Sequence, residues 1–120
     1  MNAEKFNKIV EEFLEKTKAT LIKKEDEYSL CEDRFAFFKR EAQIADVTPE
    51  KALYFCMLKH ITSFIDMVNT GDKYSQELWF DKLGDIVNYC ILLYGLLEDD
   101  DMFAAPKKAA RVSLREGEEK

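Results

Sequence analysis

Two prolines and four glycines are all that punctuate these 120 residues. Both residue types break regular structure, and a sandwich or barrel needs many turns. Their scarcity predicts a few long helices. The apolar spacing agrees. Over 3–28, Phe6, Ile9, Val10, Phe13, Thr17 and Leu21 recur every three or four residues and form one stripe. The opposite face carries Glu4, Lys8, Glu11, Glu15 and Lys18, with opposite charges four apart. Asn2 is available as the N-cap. At about 1.5 Å per residue this helix is roughly 39 Å long, more than a compact domain of this size covers. Part of it is therefore expected to pack against another subunit.

The polar run Ser29-Leu30-Cys31-Glu32-Asp33 interrupts the pattern. A second helix is predicted over 34–45, with Asp33 as its N-cap and Phe35, Phe38, Ala42 and Ala45 as its apolar side. Phe37 lies off that stripe. Thr48-Pro49-Glu50 supplies a capping hydroxyl, proline in the first helical position and an acid in the first turn. The helix it starts is expected to reach Asn69, ahead of Gly71. A fourth is predicted over 75–98; its almost wholly apolar run 86–97 suits a central position. The fold class is therefore all-α, a four-helix bundle-like domain over 1–98. The segment 99–120, opening Asp99-Asp100-Asp101, reads as a mobile tail or a docking arm.

Hydrophobic residues are 47 % and charged residues 35 %, the balance of a folded domain. The net charge of −6 argues against free nucleic acid as a partner. No apolar run approaches the roughly 20 residues that span a bilayer, and 1–8 lacks the apolar core of a secretory signal. Cys31, Cys56 and Cys90 are odd in number and widely spaced, which fits neither a disulfide scaffold nor a zinc knuckle. Cys56 and Cys90 read as small core hydrophobes, and a cytoplasmic location is expected.

The two most hydrophobic helices carry polar stripes. Lys59, Ser63 and Asp66 share one face of the third, with His60 one position round. Asp81, Asp85 and Asn88 form a stripe on the fourth, flanked by Lys82 and Tyr89. Buried charge is costly unless paired. Either the stripes neutralise each other across a helix contact, or they line a wet pocket. In the pocket reading lysines meet phosphate, carboxylates hold a metal or ligand hydroxyls, and aromatics stack on a base. Lys24, Glu25, Tyr28, Asp33, Arg34 and Lys39 form a third group at the first interhelix turn, with Arg34 where backbone N–H groups favour anions. For Lys24 and Glu25 alone a solvated charged turn is the favoured reading. His60 is the only histidine, so a hydrolytic triad or zinc site is not expected. Neither G-x-x-x-x-G-K-[ST] nor G-x-G-x-x-G is present, which excludes those two phosphate-binding modes.

The string Leu83-Gly84-Asp85-Ile86 resembles the second metal helix of the MazG-like all-α nucleotide pyrophosphohydrolases. Those enzymes hold magnesium with an E-x-x-E helix and an E-x-x-D helix. Asp85 matches the final aspartate, but Lys82 stands where the glutamate belongs, and Lys59, His60 and Ser63 occupy the partner helix. Across about 24–98 the chain is similar to small tailed-phage proteins associated with nucleotide modification. The matching residues are Glu32-Asp33-Arg34, Phe38-Lys39, Pro49-Glu50 with Ala52, Lys59-His60 with Ser63, Asp66-Met67, and Trp79, Asp81-Lys82, Asp85, Asn88-Tyr89. These resemblances imply a phage origin, a nucleotide ligand and homo-oligomers, dimer or larger.

Three functional expectations follow. The first is a non-hydrolysing nucleotide binder, for example one that sequesters a nucleotide signal of host defence. Its ligand set would be Lys24, Tyr28, Arg34, Phe38, Lys39, Lys59, His60, Ser63, Lys82, Asn88 and Tyr89. The second is a Mg²⁺-dependent nucleotide pyrophosphohydrolase using Asp66, Asp81 and Asp85, with Glu27, for metal. The third is a protein-binding phage adaptor or inhibitor presenting an acidic surface.

Overall fold

The computed structural model describes residues 1–27 and 33–106, and the side chains of all of these except 24–27. It contains four α-helices, α1 (Ala3–Glu27), α2 (Ala36–Ala45), α3 (Pro49–Thr70) and α4 (Gln76–Asp99), and no strand among the described residues. Local chemistry sets most ends. Asn2 Oδ1 accepts from Lys5 N at 2.8 Å. Thr48 Oγ1 accepts from Lys51 N at 3.2 Å, with Pro49 opening α3. Ser75 Oγ accepts from Leu78 N at 3.0 Å. Gly71 closes α3 in the left-handed region at φ 71°, where a Cβ is disfavoured.

The second helix starts later than its sequence pattern implies. Asp33 caps no helix; its Oδ1 accepts from Phe35 N at 2.9 Å and its carbonyl from Ala36 N at 3.1 Å, forming a turn. The helix therefore opens at Ala36, and Arg34 lies in that turn instead of the first helical turn.

Packing proceeds in a row: α1 on α4, α4 on α3, α3 on α2. Phe13 meets Phe80 edge-on at 5.1 Å and Thr17 lies beside Gly84, so α1 and α4 run the same way. On α3 and α4 the contacts His60–Asp85 and Leu53–Leu96 pair rising with falling numbers, so these two helices are antiparallel. The core joins α2, α3 and α4 through Phe38, Leu53 and Leu96, with Phe35, Cys56, Tyr89, Leu92 and Leu93 around them. Leu53 and Leu96 are fully enclosed, each worth about 1.5–3 kcal/mol relative to exposure.

The bundle is open. Within the stripe of α1 only Thr17 is buried, while Phe6, Ile9 and Val10 stay 55, 42 and 37 % exposed, and Leu14 beside them is 54 % exposed. The central-helix expectation for α4 holds for Leu96 but not for Ile91 and Tyr94, which are largely exposed. Cys90 is likewise exposed and is not a core residue; Cys56 is half-buried. The reason is shared: a row of helices leaves outer faces that a closed bundle would cover.

The predicted tail is in part held. Asp99 ends α4, and the N–H groups of Asp100, Asp101 and Met102 close that helix on the carbonyls of Leu96, Glu98 and Leu97. Phe103 then folds onto Tyr94 at 5.5 Å. Residues 107–120 lie outside the described residues, as do Tyr28 and Cys31 and the side chains of Lys24, Glu25 and Glu27. No helix is long and apolar enough to cross a membrane among the described residues.

Candidate functional site

The helical repeat puts His60 on the side of α3 that faces α4, and places Asp85 and Tyr89, four residues apart, opposite it. His60 Nδ1 lies 3.4 Å from Asp85 Oδ2, and its ring sits 5.1 Å from the Tyr89 ring at 36°. The histidine and aspartate side chains are 19 and 30 % exposed. An imidazole is thus held between a carboxylate and an aromatic ring, open enough for a ligand to reach. Protonation of His60 would turn the Asp85 contact into an ion pair. Lys82, half-buried, flanks the seam on α4.

The other side of α4 faces α1. There Asp81, Asp85 and Asn88 border a cavity of about 30 Å³ with Thr17, Thr20, Phe80 and Gly84. Gly84 lies against Thr17: a Cβ there would stand 3.4 Å from Thr17 Cγ2, ordinary van der Waals contact. Asn88 is buried, and its Oδ1 has no hydrogen-bond partner. A buried acceptor of this kind calls for a donor or a cation, and the space suffices for one water. The threonine hydroxyls are already committed as donors, Thr17 to Leu14 O and Thr20 to Lys16 O.

Lys59 is on neither surface. It borders a separate cavity of about 350 Å³ between α2 and α3, with Glu41, Ile44, Ala45, Val47, Ala52, Phe55 and Cys56. Ser63 is half-buried and Asp66 exposed. Of the two readings of the stripes, the lysine–aspartate pairing is not found among the described residues, where His60 meets Asp85 instead. The face of α3 carrying Lys59, Ser63 and Asp66 is rotated away from the contact whose centre His60 occupies. Nor do Asp66, Asp81 and Asp85 gather: no group of three or more His, Cys, Asp or Glu able to hold a metal occurs among the described residues.

The first-turn group divides. Lys39 is a clamp, its ammonium 2.6 Å from Asp33 and 2.9 Å from Asp99. Those hydrogen bonds hold the Lys39 ammonium protonated far above its ordinary range. The Lys39 bond, then the Phe35 N–H, pushes the Asp33 carboxyl down. Phe38, expected to touch ligand, is a core residue with 7 % exposure; its ring is spent on Leu53 and Leu96. Arg34 is half-buried at the turn.

Sequence reasoning missed Thr17, Thr20, Glu41 and Cys56. Thr17 gave a signal, being polar in an apolar stripe. Glu41 gave none, since a charged residue on a short helix reads as solvated. Cys56 Sγ donates to Glu41 Oε1 at 3.5 Å, and burial, then the Glu41 charge, pushes its thiol up.

No family model, curated protein or solved structure matches this chain.

Proposed function

We propose that the chain binds a nucleotide without hydrolysing it, and that it works as a homo-oligomer of two or more copies. The observation that carries this reading is His60, a polar ring held between Asp85 and Tyr89 at the contact of two apolar helices and still open to solvent. Lys82 supplies a cation for phosphate beside the seam, and Lys59 supplies one in the separate cavity between α2 and α3. The phage origin, the cytoplasmic setting in a bacterial host and the link to host defence rest on the resemblance in sequence alone. Assembly is supported by an exposed apolar edge of α1, where Phe6, Val10 and Leu14 are 55, 37 and 54 % exposed.

Thermal unfolding against mono-, di-, tri- and cyclic nucleotides, with and without Mg²⁺, tests the reading. A ligand at one hundred times its Kd stabilises by about 2.7 kcal/mol. A shift without new products on chromatography is the expected result; no shift with any nucleotide rejects the proposal.

One observation favours a MazG-like, Mg²⁺-dependent pyrophosphohydrolase as the second reading. Asp81, Asp85 and the unpartnered Asn88 Oδ1 surround one small cavity with hard oxygen donors that fit magnesium. The set is short of a full site without a further carboxylate. Mg²⁺-dependent release of pyrophosphate, lost in Asp85→Asn, would establish it. The exposed apolar faces also suit a protein-binding adaptor, which partner capture with no nucleotide effect would favour.

A further inference from the structure

The cavity between α2 and α3 has no part in the seam around His60, yet it has the form of a ligand pocket. Its volume of about 350 Å³ falls in the roughly 300–1,000 Å³ range of small-molecule sites, which pair apolar walls with a few convergent polar groups. The walls are Ile44, Val47, Ala52 and Phe55, and the polar groups are Glu41 and Lys59. Ile44 and Phe55 are 80 and 50 % exposed, so their apolar surface lies open.

The two charges flank Cys56 from opposite sides of the balance: the Glu41 carboxylate pushes its thiol up and the Lys59 ammonium pulls it down. They do not satisfy each other. The ion pairs among the described residues are Lys39–Asp33, Lys39–Asp99 and His60–Asp85. Glu41 accepts one bond from the thiol through Oε1, and a carboxylate has acceptor capacity beyond that. A fitting ligand therefore has a flat apolar body, a donor edge for Glu41 and an anion for Lys59.

We infer that this pocket takes the guanine base of a guanine nucleotide, with Phe55 against the ring, Glu41 on its donor edge and Lys59 on its phosphate. The inference rests on the nucleotide-binding reading and names the ligand class. Guanine alone among the common bases presents two adjacent donors, N1–H and the 2-amino group, which match the two oxygens of a carboxylate. Adenine and cytosine set a ring-nitrogen acceptor beside their amino group, and uracil flanks its N–H with two carbonyls; each repels an acceptor-only group.

Calorimetric titration of the full chain with GMP, IMP, AMP and guanosine tests the assignment. GMP should bind about tenfold or more tightly than IMP or AMP, the discrimination of one bidentate pair. Glu41→Gln keeps an acceptor for the Cys56 thiol but loses the second acceptor oxygen, and should bring GMP and IMP within about threefold. Lys59→Met should abolish the advantage of GMP over guanosine. Phe55→Ala, at a half-exposed position, should weaken every purine ligand alike. GMP preference that survives Glu41→Gln and Phe55→Ala would overturn this pocket while leaving the nucleotide reading in place. A preference for AMP would overturn the base assignment alone. Failure of GMP, IMP and AMP to bind would overturn the pocket, and failure of the di-, tri- and cyclic nucleotides as well would overturn both.

Discussion

The Phe35 ring lies across Gly95, where a Cβ would stand 3.1 Å from Phe35 Cζ. This contact locks the start of α2 onto the last turns of α4, next to the bridge from Lys39 to Asp99. At Gly84 the same construction leaves 3.4 Å to Thr17 Cγ2, ordinary van der Waals contact. Replacing glycine by alanine inside a helix gains about 0.5–1 kcal/mol in backbone terms. Gly84→Ala is therefore expected to raise the urea midpoint. Gly95→Ala should gain less or lose, because Phe35 must yield by some tenths of an ångström in a packed core. Equal gains at both positions would show that the ring moves freely.

The core itself is small, and its members should be correspondingly sensitive. Leu53 and Leu96 are fully enclosed, so Leu→Ala at either should cost about 2–5 kcal/mol. Ile44→Ala, at 80 % exposure, should lie within about 0.5 kcal/mol of wild type. Denaturant unfolding at fixed protein concentration separates the two classes.

Two carboxylates set opposite pH dependences. Asp33 has its folded pKa lowered by Lys39 and the Phe35 N–H. Its stabilising contribution is present above the ordinary carboxylate range and lost as the pH falls through the folded value. Glu50 has its pKa raised, chiefly by burial and then by Asp100, and its Oε2 has no partner. Its contribution is present when protonated and lost as the pH rises through the folded value. Glu50→Gln should therefore raise the unfolding temperature at pH 7 by a few degrees at most and leave it nearly unchanged at pH 3. Lys39→Met should do the reverse, lowering it at pH 7 with an effect that fades on acidification. Lys39 and its two partners are exposed and Glu50 is only half-buried, so both effects should be small, and that of Lys39 should weaken in salt.

What the sequence made legible follows from which signals are local. Caps at Thr48 and Ser75 depend on a few consecutive residues, and those helix starts match to within one residue. The start of α2 does not, because Asp33 closes a turn on Phe35 N instead of capping a helix, where Phe35 packs on Gly95 and Lys39 bridges to Asp99. The polar stripes were found by spacing, but spacing fixes faces and not which faces meet. His60, one position from the stripe, proved to be the residue in contact with α4. Glu41 became a pocket residue only through Cys56, fifteen positions away, a relation that no periodicity reveals.

The exposed stripe on α1 leads to the last prediction. Phe6, Val10 and Leu14 follow one another at four-residue steps, so they share one edge of the helix. Phe13 and Thr17 turn instead toward Phe80 and Gly84 of α4. The helix thus offers a second apolar edge that stays partly open to solvent. If a second copy packs there, burying it removes three large apolar side chains from water on each protomer. Phe6→Ser with Leu14→Ser should then lower the mass measured by light scattering toward that of a single chain, about 14 kDa. Because neither residue belongs to the α2–α4 core, the helical circular dichroism signal of α2–α4 should persist. A single-chain mass for the unmodified protein at tens of micromolar would reject the assembly and leave this edge to a different partner.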